Sequence, residues 1–224
     1  MNPLQIAIDG PAGAGKSTIA KAIARELGIT YLDTGAMYRA TGLKALRFGV
    51  DPADESAASV LAAGTDIAVR HEDGGQRVLL DGEDVTGQIR TAEVSAAASQ
   101  VSRHRAVRER MVALQRRLAG QIPVVMDGRD IGTVVLPQAA FKFFLTASVE
   151  VRAERRRLEL LAQGIDRPLE EYSRDIAERD RQDMTRAESP LMVAPGAEVV
   201  DTSAMTADEV VAHVLGRVRG YESK

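Results

Sequence analysis

A chain of 224 residues, 45% apolar and 27% charged, is long enough for one sizeable core with an inserted subdomain and too short for two large domains. Its net charge of −3 argues against a dedicated nucleic-acid binder, and no apolar run approaches the roughly 20 residues of a membrane span; the start at Met1-Asn2-Pro3 lacks a secretory pattern, so a cytoplasmic location is expected. There is no cysteine, and His71, His104 and His213 lack metal-ligand spacing, which leaves oxygen ligands and cations to carry any chemistry.

The first apolar run, residues 4–9, reads as a strand. It leads into Gly10-Pro11-Ala12-Gly13-Ala14-Gly15-Lys16-Ser17-Thr18, which fits the phosphate-binding pattern G-x-x-x-x-G-K-[ST] without a mismatch. In such a loop backbone N–H groups converge on a polyphosphate and the following helix points its positive end at the anion. Lys16, ending a solvent-facing loop, is expected to reach the outer phosphates, and the Ser17 hydroxyl to ligate a magnesium ion.

Residues 16–27 carry apolar side chains at helical spacing, with Gly28 as the stop. A short strand at 29–32 ends in Asp33-Thr34-Gly35, and a helix is expected from about Met37 to Phe48, which brings Thr34 and Arg39 near a strand's carboxyl end. A further helix is expected over about 51–63. The period then changes: runs at 67–69, 78–80 and 84–86, separated by Asp73-Gly74-Gly75 and Asp81-Gly82, read as a small antiparallel insertion. Helical patterning returns over 92–101 and 105–119, carrying Ser99 and Arg108.

Residues 122–127 form an apolar strand ending in Asp127, an acid of the kind that orients magnesium or its waters in a nucleotide-binding sheet, and Gly128-Arg129-Asp130 extends that edge. A strand at 141–145 precedes an Arg-rich helix over about 148–162, where Arg155 with Glu159 reads as a helix-surface pair. Gly164 and Pro168 interrupt, a charged helix follows over about 170–183, and the two resemble a helical hairpin able to move as a lid. A last strand at 199–201 and a helix over 206–218 complete the chain.

Five apolar strands alternating with helices predict a doubly wound parallel sheet with its site at the carboxyl edge. Asn2 is the only asparagine, which removes both a guanine-reading Asn-Lys-x-Asp segment and a protein-kinase catalytic loop. Transfer of a phosphoryl group to a small acceptor remains. Arg39, Arg108, Arg129 and Arg186 suit an acceptor that is itself a phosphate, whose oxygen is already ionised and needs no protein base. Alternatives are a kinase for another small acceptor and a regulatory protein that holds ATP without turning it over.

Four segments carry a family resemblance: Gly-Pro-Ala-Gly-Ala-Gly-Lys-Ser at 10–17, Leu-Asp-Thr-Gly-Ala-Met-Tyr-Arg at 32–39, Asp-Gly-Arg-Asp-Ile-Gly-Thr-Val-Val at 127–135, and Arg179-Asp180 with Arg186 and Ser189-Pro190-Leu191. Over essentially its whole length the chain resembles the bacterial cytidylate kinases, and the insertion at about 64–90 resembles the element that sets that family apart from adenylate kinases. The resemblance implies a five-stranded parallel sheet of the P-loop nucleoside monophosphate kinase type, with core (about 1–36, 104–150 and 190–224), monophosphate-binding region (about 37–103) and lid (about 151–189). It implies ATP-dependent phosphorylation of CMP or dCMP with Mg2+; closing lids and an acidic surface are compatible with a monomer, and neither nucleic acid nor membrane is expected as a partner. Residues 10–18 are expected to bind ATP and Ser17 with Asp127 the metal. The resemblance further implies that Thr34, Arg39, Ser99, Arg108, Arg129, Asp130, Asp183 and Arg186 hold the monophosphate. Lys16, Arg129, Arg179 and Arg181 are expected to serve catalysis, and the closing cations to come from Arg155, Arg156, Arg157, Arg179 and Arg181. Asp183 also admits a plainer reading, as an intrahelical acid near Arg179.

Overall fold

The computed structural model describes residues 3–72, 75–162 and 164–222. In chain order the elements are β1 (Gln5–Asp9), α1 (Lys16–Leu27), β2 (Thr30–Asp33), α2 (Thr34–Arg47), α3 (Glu55–Ala63), β3 (Ile67–Glu72), β4 (Gly75–Leu80), β5 (Glu83–Asp84) and α4 (Ala92–Val101). There follow α5 (Arg105–Ala119), β6 (Val124–Gly128), β7 (Phe141–Thr146), α6 (Val149–Leu161), α7 (Leu169–Thr185), β8 (Glu198–Asp201) and α8 (Ala207–Glu222). The five-stranded parallel sheet has the order β2-β6-β1-β7-β8, and β3-β4-β5 form a separate antiparallel sheet. The chain divides into two compact units, one of residues 4–29 with 124–222, the other of residues 30–123.

In the first unit β1 pairs in parallel with β6 (Ile6 opposite Val125) and with β7 (Ile8 opposite Phe143), and β7 pairs with β8. Ile6, Ala7 and Ile8 are all fully buried, so β1 is apolar on both faces, as a central parallel strand must be. Helix α1 stops where Gly28 takes a left-handed conformation and its N–H returns to the carbonyls of Ala24 and Arg25. Helices α6 and α7 pack through Ala153, Tyr172 and Ile176, with Val149 and Leu160 alongside.

In the second unit a core of Ala36, Met37, Ala40, Ile67, Val78, Leu80, Val85, Ile89, Val94, Met111 and Leu114 joins α2, α4 and α5 to the antiparallel sheet. Strands β3 and β4 pair with Val69 opposite Val78. The insertion expected at 67–86 is therefore present, while residues 73 and 74 of its expected turn lie outside the described residues. Helices α2 and α4 approach closely at Gly42, where a Cβ would lie 2.8 Å from the amide nitrogen of Ala98. Only glycine lets the two backbones come this near.

Three departures from the sequence reading have a local cause. Helix α2 begins at Thr34 rather than near Met37, because the Asp33 side chain caps it by accepting the Ala36 N–H. Helix α3 begins at Glu55, because Asp54 caps it in the same way. Residues Ile131–Val135 form a π-helical turn in which Val135 N–H reaches Asp130 O (3.2 Å) and Leu136 N–H reaches Ile131 O (2.6 Å), a feature that composition does not announce.

Candidate active site

The phosphate loop is built by backbone. Gly10 (φ 146°), Gly13 (φ 75°) and Gly15 (φ 84°) all occupy conformations that side-chain-bearing residues rarely adopt, and a Cβ on Gly10 would sit 2.0 Å from the Leu145 carbonyl oxygen of β7. Helices α2, α3, α4 and α6 are capped by Asp33, Asp54, Thr91 and Ser148, whereas α1 starts on Gly15 with no side-chain cap and no acid in its first turn. Its first amides therefore face the loop without a side-chain oxygen upon them, the arrangement that suits an anion.

Lys16 is buried, not solvent-facing, and its ammonium donates to the Pro11 carbonyl at 2.6 Å, so the loop wraps its own lysine. Burial, together with the charges of Arg129 and Arg179, pushes its pKa well below the usual lysine value, with Asp127 and Asp9 acting in the opposite sense. A polyanion would relieve this excess of positive charge. The Ser17 hydroxyl donates to Asp127 Oδ2 at 2.7 Å, and Asp127 is itself buried. A hydroxyl beside a buried carboxylate is an oxygen pair suited to Mg2+, which takes few protein ligands and completes its shell with water and phosphate. Among the described residues no cluster of three or more His, Cys, Asp or Glu could hold a metal.

Asp9, at the end of β1, accepts the N–H groups of Ile131 (2.8 Å) and Gly132 (2.7 Å) and so grips the π-helical turn that follows Arg129-Asp130. Its burial raises its pKa to about 6 despite those two donors. Arg129 donates through Nε to Asp183 Oδ2 at 2.7 Å, and Arg186 lies 3.8 Å from the other oxygen of Asp183. Burial acts to raise the Asp183 pKa, but the charge and hydrogen bond of Arg129 and the charges of Arg179 and Arg186 outweigh it, and the carboxyl is held below its ordinary range. Arg186 also donates to the carbonyl of Ser189, a residue held at φ 50°. Asp183 is thus the hub of a tertiary arginine cluster, beyond an intrahelical pair.

The remaining expected lid cations are differently engaged. Arg155 donates to the side chain and carbonyl of Thr202 (3.1 and 2.7 Å) and not to Glu159, which instead receives Arg156. Arg157 pairs with Glu154, and exposed Arg181 pairs with Glu178 on its own helix. In the second unit Arg39 donates to Asp33 Oδ2 at 2.8 Å, and Arg90 shares the same oxygen at 2.9 Å. Gly35 makes room for this, since a Cβ there would meet the Arg39 guanidinium at 3.1 Å. Buried Arg108 lies over the Tyr38 ring (5.6 Å) and donates to Ser102 O; Thr34 is buried at the start of α2, and Ser99 is half-buried on α4.

A family profile described as cytidylate kinase matches residues 6–220. The chain belongs to the cytidylate kinase family. A cytidylate kinase from Pelotomaculum thermopropionicum is 56% identical over 95% of both chains. Those from Caldicellulosiruptor bescii (52%, covering 96% of this chain and 95% of its own) and Symbiobacterium thermophilum (50%, 96% of each) are similar. Among solved structures, an uncharacterized protein from Eubacterium ventriosum shares the fold at a TM-score of 0.53 and 12% identity, covering 96% of this chain and 98% of that one. TT1252 from Thermus thermophilus does so at 0.50 and 16%, covering 99% and 98%.

Against the cytidylate kinase motifs, the sequence reading passed over four residues that the structure puts to work. Asp33 holds both Arg39 and Arg90, and Arg152 and Asp180 form a buried pair at 2.7 Å. Asp33 and Asp180 lie inside the family motifs, but the Asp33 contact with Arg90, 57 residues away, and the Arg152–Asp180 pair are tertiary and leave no periodic trace. No helix among the described residues is long and apolar enough to cross a membrane.

Proposed function

We propose that this cytidylate kinase family member transfers the γ-phosphoryl group of ATP to CMP or dCMP, giving ADP and the nucleoside diphosphate. The observation that carries the reading is the buried Lys16 with Arg129 and Arg179 acting on it, beside the Ser17–Asp127 oxygen pair. Residues 10–18 hold the ATP phosphates through backbone N–H groups, with Lys16 on the outer phosphates. Ser17 and Asp127 would hold Mg2+, which when bound would neutralise charge on the phosphates.

Thr34, Arg39, Ser99, Arg108, Arg129, Asp130, Asp183 and Arg186 are assigned to the monophosphate, the arginines taking its phosphate oxygens and Ser99 and the acids its base or sugar hydroxyls. The attacking oxygen of CMP is ionised near neutral pH, so the residues align and neutralise rather than remove a proton. Arg179 serves the transferring group directly. Arg181 would first have to leave Glu178, and Arg155 to leave Thr202, so they are assigned to closure. Residues 151–189 are proposed as the lid, 37–103 as the monophosphate region, and the enzyme as a cytoplasmic monomer.

An ADP-release assay across CMP, dCMP, UMP, AMP and shikimate tests the assignment. CMP and dCMP are expected to stimulate turnover. Stimulation by AMP, UMP or shikimate with none by CMP would overturn it.

A further inference from the structure

Arg152, near the start of α6, is only 4% exposed and spends its guanidinium in three directions. Nε donates to the Ala147 carbonyl at 2.8 Å, one terminal nitrogen donates to the Ala12 carbonyl of the phosphate loop at 3.1 Å, and the other meets Asp180 Oδ2 at 2.7 Å. The loop lies tightly on this residue, since a Cβ on Gly13 would be 3.1 Å from the Arg152 Cβ and 3.2 Å from its carbonyl oxygen. The partner, Asp180, is 8% exposed, and its second oxygen is buried with no hydrogen-bond donor.

A buried ion pair with one oxygen unsatisfied is a poor device for stability alone, because desolvation offsets much of its attraction. Its placement suggests another use. Asp180 follows Arg179, which acts electrostatically on Lys16, and precedes by three residues Asp183, which grips Arg129. One turn of α7 therefore carries Arg179, the Arg152 partner and the Arg129 partner together.

We propose that Arg152 and Asp180 form a latch that fastens this turn of α7 to the crest of the phosphate loop and so sets the positions of Arg179 and Arg129 for phosphoryl transfer. Both are positioning residues: they act through Arg179 and Arg129. The inference rests on the kinase reading above.

Steady-state kinetics on Asp180→Asn, a near-isosteric change, and on Arg152→Lys, which keeps the charge but loses the fork, test the latch. Each is expected to lower kcat about ten- to a hundredfold with the KM for CMP unchanged, the signature of misplacement in the transition state. In an Arg179→Met background, Asp180→Asn is expected to add a smaller further loss, the part that passes through Arg129. Wild-type kcat in Asp180→Asn below its unfolding temperature, or an equal loss in both backgrounds, would overturn the latch and leave the pair a structural one. If the wild type fails to phosphorylate CMP, the substrate assignment falls by itself, and the same ratios measured on ATP hydrolysis with water as acceptor still decide the latch.

Discussion

The two units solve the problem of binding phosphate by different means. In the phosphate-loop unit the cradle is backbone: three glycines at positive φ, an uncapped helix and a lysine folded onto the loop's own carbonyl. In the 30–123 unit the candidate ligands are side chains parked on protein partners, with Arg39 and Arg90 sharing Asp33 and Arg108 resting on Tyr38. A backbone cradle recognises any polyphosphate. Side chains on exchangeable partners can be shaped to one monophosphate, so on the proposed assignment the backbone cradle carries the chemistry common to many kinases, and selectivity falls to side chains: those of the 30–123 unit together with Arg129, Asp130, Asp183 and Arg186.

That contrast can be broken most forcefully at Lys16. Lys16→Met is expected to lower kcat by ~10³-fold, the scale for losing a preorganised transition-state contact, while thermal unfolding of the free protein stays level or rises, since a buried cation among arginines is removed. A parallel loss of melting temperature would contradict the prebuilt-cradle account. Next comes the cost of the cradle's acid. Asp9 has a folded pKa of about 6 against an ordinary 3.8, so it is protonated in both states at low pH, and its contribution to stability falls as pH rises from about 4 through 6. At about 1.4 kcal/mol per pKa unit the ionised carboxylate costs about 3 kcal/mol at neutral pH. Denaturant unfolding of wild type and Asp9→Asn from pH 4 to 7 is expected to show their stabilities diverging by that amount, and parallel curves would remove Asp9 from the account. The smallest effects concern selectivity. Arg39→Met and Arg129→Met are each expected to weaken CMP binding about tenfold, the worth of one charge-assisted contact, with ATP affinity preserved. Calorimetric titration showing the larger loss for ATP would move that arginine to the donor side.

Much of this organisation was legible in the chain. The loop motif, the five alternating strands and the helices at 16–27, 92–101 and 105–119 follow from glycine spacing and apolar period, which are local signals. What escaped was held by contacts distant in sequence. The π-helical turn at 131–135 is gripped by Asp9, over 120 residues away. Arg155 looked like a partner for Glu159 at helical spacing, yet it turns to Thr202 on the strand-to-helix connection after β8. Lys16 belongs to a glycine-rich loop that reads as exposed, but it is buried with its ammonium on the Pro11 carbonyl. Caps shifted α2 and α3 for the opposite reason, since Asp33 and Asp54 act locally but resemble ordinary turn acids in the sequence.

The close approach of α2 and α4 at Gly42 bears on what ligand binding has to organise. Arg39 lies one helical turn before Gly42, and Ser99 is next to Ala98, whose amide a Cβ on Gly42 would strike. With no side chain between the backbones, the two helices are in direct contact here, a packing that opposes sliding and so favours a set spacing of Arg39 and Ser99. Much of their relative order is then established at folding, and a monophosphate that meets both loses chiefly its own freedom and that of two side-chain tips.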